Sequence, residues 1–327
     1  MQILSAIISV LIGIAVSLAL FWLLHVIVER LPRRARGALL PYSFIGPVLL
    51  LIVLFLIYPA VRTVVLSLYD RDGEQFVGLE NYLSLFGDAD FLRILANNLL
   101  WIIVVPITAL LLGLVAAVMS DRVGGRRENL FKSAVFFPMA ISFIAAATIW
   151  KFVYDYRPPG QPQVGLLNAL WVALTSGEPV PWLTVSTASL NSLLMMVIIV
   201  WLQTGFAMVL LSAAIKGVPE ETIEAARVDG ANERQVFFRI VLPQIRTTML
   251  AVFVTILVLV MKIFDIVYAM TGGNYKTSVL GLEFVRQLFE FGNPGIASAV
   301  IVLLMIAVIP VMVYQVRSFR KQEEVRA

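Results

Sequence analysis

Two ionisable side chains, Lys262 and Asp265, stand inside an apolar run that extends from Thr247 to Met270. Ionisable groups in hydrocarbon are costly, and they persist by pairing with each other or by facing a polar cavity. A spacing of three predicts that both lie on one helix face, where they could form an ion pair. Two readings stand side by side: a structural pair that pins two helices, and a polar lining for the path of a hydroxyl-rich solute. Such a solute offers hydroxyl edges to amides and carboxylates, and CH faces to aromatic rings. By that chemistry the path candidates inside apolar runs are Asn98, Ser142, Trp201, Gln203, Asp265 and Tyr268. Trp150 is less favoured, because an aromatic at a membrane boundary accounts for it equally well.

No catalytic set accompanies these residues. The sole histidine, His25, lies in an apolar run and reads as an interfacial or packed side chain, so neither a Ser/His/Asp triad nor a His-based metal site is expected. Without cysteine there is no disulfide framework and no thiolate metal site. The run Gly272 to Ser278 has a faint likeness to a phosphate loop. It lacks the glycine that should precede Lys276, and it does not join a strand to a helix. No other such loop occurs, so the chain is expected to hold no nucleotide, metal or other cofactor. A polytopic membrane enzyme would need catalytic residues clustered at one membrane face, and the sequence offers none.

Composition defines the elements that must position these residues. Of 327 residues, 60% are hydrophobic and 14% charged, with a mean hydropathy of +0.91. This describes an all-α polytopic membrane protein. Apolar windows of about 20 residues, enough to cross roughly 30 Å of hydrocarbon, number seven: Ala6–Val28, Tyr42–Leu68, Ala96–Met119, Ser133–Tyr154, Leu190–Ile215, Thr247–Met270 and Ile296–Val316. The first lacks a positive leader and a small-residue cleavage site, so it reads as a retained anchor. The domain reading is residues 1–40 as anchor and basic linker, and 41–327 as the transmembrane domain.

Charge sets the expected orientation. Arg30, Arg33, Arg34 and Arg36 follow the first window, Arg122, Arg126, Arg127 and Lys132 the third, and Arg317, Arg320, Lys321 and Arg326 the last. With seven spans all three clusters fall on one side, the cytoplasmic one, which puts the N-terminus outside and the C-terminus inside. The acidic stretch Tyr69–Leu95 falls outside. So does Tyr156–Ser189, where Gly165 to Ala173 is expected to form a short interfacial helix and Trp171 and Trp182 to anchor at the headgroups.

Between the fifth and sixth windows lies the one long stretch that alternates charged and apolar residues, Pro219 to Pro243. Pro219, with Glu220, Glu221 and Glu224 behind it, suits a helix start. Ile223, Ala226 and Val228 give a small apolar face. Gly230 supplies a turn. Asn232 and Gln235 have capping-box spacing at the start of a second helix. That helix carries Val236, Phe237, Ile240 and Val241, and Pro243 is expected to stop it. An amphipathic hairpin packed on its own membrane domain is one reading. A DNA-reading helix-turn-helix fits less well, because acids outnumber arginines and nucleic acid is a poor partner.

Glu224-Ala225-Ala226, three residues, Gly230, nine residues, then Ile240-Val241-Leu242-Pro243 resembles the EAA signature of ABC importer permeases, matching at every fixed position. The chain also resembles carbohydrate permeases, the first maltose- or glycerol-phosphate-type subunit in particular, from about Tyr58 to the last span. Tyr58-Pro59, Ser67-Leu68-Tyr69 and Gly78-Leu79-Glu80-Asn81-Tyr82 resemble that family's opening. Phe137-Pro138, Ser142, Trp150, Gly165-Leu166-Leu167-Asn168, Phe264-Asp265, Thr271-Gly272-Gly273 and Gly295 to Ala299 resemble later motifs. Asn274-Tyr275 replaces the usual Gly-Pro.

The resemblance implies a permease of the prokaryotic cytoplasmic (inner) membrane with a coupling loop at residues 217–245. Through Glu224, Ala225, Ala226, Gly230, Ile240, Leu242 and Pro243 this loop would dock into a cytoplasmic ATPase, with Glu224 pairing at its groove and the second helix's apolar residues filling it. The implied partners are a second permease subunit, two ATPase subunits carrying ATP and Mg, an extracytoplasmic solute-binding protein and membrane lipid. The implied cargo is a di- or oligosaccharide such as an alpha-glucoside, with glycerol-phosphate or a polyamine as alternatives. An ion-coupled secondary transporter built on Lys262 and Asp265 is the rival from another class, although no inverted repeat supports it.

Overall fold

The computed structural model describes residues 45–326, and before them only Gly13, Ala15, Ala19, Trp22, Leu23, Val26 and Arg30; side-chain surroundings are described as far as Arg317, except at Arg122. Most of the window Ala6–Val28, with His25, Arg33, Arg34 and Arg36, lies outside the described residues. The chain divides into two compact units, residues 1–66 and 67–327. Among the described residues the structure is helical, apart from one antiparallel bridge between Tyr69 and Phe76.

The described part of the first unit is one helix, α1 (Ile45–Leu66), apolar and largely exposed along its length. The second unit begins with α2 (Glu80–Gly87) and α3 (Ala89–Val123). There follow α4 (Gly125–Phe136), α5 (Phe143–Val153), α6 (Leu166–Thr175) and α7 (Leu190–Lys216). Next come α8 (Glu220–Val228) and α9 (Glu233–Met261). The chain ends with α10 (Asp265–Thr271), α11 (Leu280–Val285) and α12 (Pro294–Arg326). The 35 residues of α3 span about 52 Å at 1.5 Å per residue. The short helix expected at Gly165 to Ala173 is α6, beside which Trp171 and Trp182 pack edge to face at 5.6 Å.

The core forms around α7. Met195, Met196, Ile198, Ile199, Val200 and Leu202 are all buried, while Val197, Val209 and Leu210 are exposed, so this helix is covered around most of its girth. Two close approaches set its neighbours. At Gly113 of α3 a Cβ would collide with Ala207, and at Gly205 of α7 it would collide with the backbone of Val135 and Phe136. Small residues let helix backbones approach where no hydrophobic drive separates protein from lipid.

Among the described residues five helices are long and apolar enough to cross a membrane, or six with a bent pair, and these fall on six of the seven windows; the seventh, Ala6–Val28, lies mostly outside the described residues. Two of the windows are corrected in shape. The window Ser133–Tyr154 is not one straight helix: α4 with its 3₁₀ extension to Ala140 meets α5 at 103°, and Pro138 lies in that extension. The window Thr247–Met270 is also broken. Its long helix ends at Met261, Phe264 leaves helical geometry at φ −144°, and α10 restarts at Asp265.

Pro243 does not stop a helix either; α9 runs through it. A proline inside a helix clashes with the carbonyl four residues back and cannot donate. Here Phe237–Val241 widens to a π-helical turn, with Leu242 N–H donating to the Phe237 carbonyl. Helix α1 repeats the arrangement. Val53–Ile57 is π-helical, Tyr58 N–H donates to Val53, and Pro59 follows. In both, the wide turn ends two residues before the proline.

Replacing Gly113 by leucine is expected to force α3 and α7 apart. Overpacking of this kind costs about 1–3 kcal/mol, and a thermal unfolding scan in detergent should show a lowered midpoint, against little change for the exposed α3 variant Leu99→Ala.

Candidate functional site

The hairpin assembles as its caps dictate. Asn232 Oδ1 accepts from Gln235 N–H at 3.0 Å, and Asn232 N–H donates to Gln235 Oε1 at 2.9 Å, closing the capping box. Gly230 turns the chain at φ +86°, a conformation in which a Cβ is strained. Across the turn Arg227 Nε donates to Glu233 Oε1 at 2.9 Å and Nη2 to Oε2 at 3.3 Å. This forked contact stabilises the charged form, so the Arg227 pKa is raised, chiefly by Glu233.

The apolar residues split by direction. Val236 and Val241 are buried with Val218 and Ile245, and Ile223, Ala226, Phe237 and Leu242 pack around them. The second helix therefore turns its main apolar face onto its own chain, which corrects the expectation that this face fills a partner's groove. Val228 leaves the small face expected for it and is 87% exposed; Phe238 is 63% exposed. Of the signature residues, Glu224, Ala225, Gly230 and Pro243 are exposed, and Ala226, Ile240 and Leu242 are half-buried. Gly230 and Ile240, with Asp229, Ala231, Gln235 and Arg239, line an open notch of about 250 Å³.

An ion triad ties this end of the molecule together. Glu128, near the start of α4, accepts from Lys132 at 2.6 Å and from Lys216, the last residue of α7, at 2.5 Å. The connection after α3 and the hairpin after α7 thus share one end of the structure.

The second candidate region is the break after α9. Lys262 caps α9 and Asp265 opens α10, so they do not share a helix face, and no ion pair joins them among the described residues. The break is anchored from behind. Ile263, Ile266 and Val267 are buried in the main core. Asn98 of α3 donates to the Met261 carbonyl at 3.4 Å and accepts from Leu280 N–H at 2.7 Å. On the other side Asp265 is half-buried, and Tyr268, 57% exposed, stacks on Phe264 at 5.2 Å with planes 17° apart. A carboxylate beside a stacked aromatic pair can bind hydroxyl edges and a CH face together.

The other path candidates lie on the elements around this break. Ser142 caps α5, its Oγ accepting from Ala145 N–H at 3.3 Å, at the 103° bend. Trp201 of α7 packs edge to face on Trp150 at 5.8 Å, and both line an apolar cavity of about 430 Å³. Both also pack, with Phe264, against the main core. Gln203 is buried on α7. Asn98 spends its amide on holding the break. Phe264 was missed among the candidates; its spacing of four from Tyr268 was the available signal.

Asn97 and Asn191 were missed as well. Asn97 donates to the carbonyls of Lys276 and Ser278 at 3.0 and 3.1 Å, Ser192 donates to Asn97 at 3.2 Å, and Asn191 donates to Tyr275 at 2.8 Å. They hold the loop after α10, where Tyr275 and Lys276 both take left-handed backbone. Polar residues in apolar windows were the signal here too.

Comparison with known proteins agrees with this architecture. Residues 109–321 match the family described as binding-protein-dependent transport system inner membrane component, and the chain belongs to that family. It is 43% identical, over 98% of both chains, to the alpha-glucoside transport system permease protein AglF of Rhizobium meliloti (strain 1021). It is 46% identical to the osmoprotective compounds uptake permease protein GgtC of Synechocystis sp. (strain ATCC 27184 / PCC 6803 / Kazusa), covering 86% of this chain and all of that one. Its fold is that of a chain in a bacterial alginate ABC transporter crystallised with a pentasaccharide-bound periplasmic protein: TM-score 0.74 at 20% identity, covering 87% and 95% of the two chains. The chain is therefore an inner-membrane permease subunit with the ABC importer fold.

Replacing Asn98 by leucine leaves Leu280 N–H and the Met261 carbonyl without their partner, at a cost of about 1–3 kcal/mol. Hydrogen exchange of the purified protein should quicken around residues 261–283 and stay unchanged in the hairpin.

Proposed function

We propose that this chain carries a carbohydrate, an alpha-glucoside, across the cytoplasmic membrane, driven by separate ATPase subunits that dock on the hairpin. The observation that carries the reading is mechanical continuity. The hairpin's second helix is the start of α9, an unbroken helix of 29 residues, about 43 Å long at 1.5 Å per residue. One end meets the exposed signature residues, and the other ends at the break that bears Asp265. A displacement at the hairpin is delivered to the break, because a helix is stiff along its axis and irregular backbone beyond it is where conformation can change.

In this reading Glu224, Ala225, Gly230 and the notch beside it, with exposed Val228, face the ATPase, which holds the ATP and Mg. Ala226, Ile240 and Leu242 shape the hairpin from within, and Pro243 stands exposed beside them where the wide turn ends. The hairpin end is cytoplasmic, with the N-terminus outside and the C-terminus inside. The partners are a second permease subunit, two ATPase subunits and an extracytoplasmic solute-binding protein. Asp265 and Tyr268 contact the solute, with Ser142, Trp201 and Gln203 along its path, while Asn98 positions the break. The identity to AglF supports an alpha-glucoside as cargo. The equally strong identity to GgtC supports a second reading, a compatible solute taken up for osmoprotection.

Uptake of a radiolabelled alpha-glucoside, measured in cells carrying the whole gene set, tests the proposal. Gly230→Asp should abolish uptake and release the ATPase on co-purification, while the chain still inserts in the membrane. Asp265→Ala and Gln203→Ala should raise the half-saturating concentration or lower the maximal rate, with the ATPase still bound. Uptake that survives Gly230→Asp, or that is unmoved by both path variants, would overturn the corresponding half.

A further inference from the structure

A cavity for which the transport reading has no use lies between the hairpin and the end of α3, with a volume of about 740 Å³. Its walls and its mouth differ in kind. Leu114, Val115, Val118 and Met119 of α3 face Phe237 and Phe238 of the hairpin along the apolar part, and Asp121, Arg227, Glu233 and Arg234 line the charged part. The apolar wall follows the last turns of a membrane-spanning helix, so the cavity is apolar where the surroundings are hydrocarbon and charged where that helix reaches its end. A soluble anion would have no use for the apolar walls. An amphiphile matches both parts.

The charges decide the headgroup. Arg227 is engaged by Glu233. Asp121 lies within electrostatic reach of Lys216. Arg234 has no carboxylate partner among the described residues. Lys132 and Lys216 together offset Glu128 and Asp121, so the guanidinium of Arg234 is the cation left over at the mouth, a fork whose geometry suits a phosphate oxygen pair.

We propose that this cavity binds one anionic phospholipid, with an acyl chain between α3 and the hairpin and its phosphate at Arg234. A lipid there fills the space between the hairpin and the membrane domain and sets how far the hairpin can settle onto α3. The proposal does not depend on what docks on the hairpin's outer face, and its test reads lipid rather than transport.

The full-length chain, purified with whatever subunits accompany it, is placed in bilayer discs of equal phosphatidylglycerol and phosphatidylcholine, released in mild detergent and weighed by native mass spectrometry. One phosphatidylglycerol should be retained per chain, preferred about tenfold over phosphatidylcholine, because the choline cation of the latter cancels the charge its phosphate brings to Arg234 and is itself repelled by the guanidinium. Arg234→Gln should bring that preference near unity. Val115→Trp, which fills the apolar part, should abolish retention of both lipids. Arg126→Gln, which removes a cation outside the cavity, should change nothing. A lipid with a photoreactive acyl chain should label peptides containing Val118 and Met119 in the wild-type protein. Equal retention of the two lipids by the wild-type chain, phosphatidylglycerol retention unchanged in both cavity variants, or a cavity closed to the photoreactive lipid by a protein partner would each overturn the proposal.

Discussion

Hydrocarbon offers no hydrogen bonds, so every backbone group released from a helix in this membrane domain must find a partner inside the protein. Buried asparagines supply such partners, and they do so in the loops beyond the spans as well, where burial rather than hydrocarbon takes water away. Asn81 donates to the carbonyls of Ser67 and Tyr69, and Asn168 donates to those of Asp155 and Val180 and accepts from Val180 N–H. Asn97, Asn98 and Asn191 do the same around the break after α9 and the loop beyond α10. All five are buried. A two-donor, two-acceptor amide can bridge two irregular segments at once, so the protein can interrupt its helices where a path needs non-helical backbone without leaving groups unpaired.

The same constraint shapes the proline sites. At Pro59 and Pro243 the chain keeps its helix by widening one turn, so that an unbroken rod runs from the hairpin into the membrane. A proline that stopped the helix at residue 243 would have uncoupled the hairpin from the span. The π-helical turn keeps them one element, and the burial of Val236, Val241 and Ile245 with Val218 holds that element against the end of α7.

The motifs that resembled carbohydrate permeases acquire physical reasons in this light. Asn81 and Tyr82 of Gly78-Leu79-Glu80-Asn81-Tyr82 hold Ser67 and Tyr69, with Tyr82 Oη donating to Ser67 Oγ at 2.7 Å. Asn168 of Gly165-Leu166-Leu167-Asn168 closes the loop that α6 interrupts. Much of what made the sequence recognisable is thus clamping rather than solute chemistry. That is why the motifs led to the fold more directly than to the residues facing a solute.

Composition and periodicity alone determined an all-α membrane protein, which stretches hold its described spans, and the hairpin with its capping box and glycine turn. These follow from local rules, since span length, cap chemistry and left-handed backbone each depend on a few neighbouring residues. Tertiary structure decided where the spans break, that Lys262 and Asp265 lie on either side of a break rather than on one face, and that Pro243 sits inside a helix. It also decided which apolar residues of the hairpin turn inward. None of these is set by neighbours in the chain: the break depends on Asn98 arriving from α3, and the inward face depends on Val218 and the end of α7 being there to cover it.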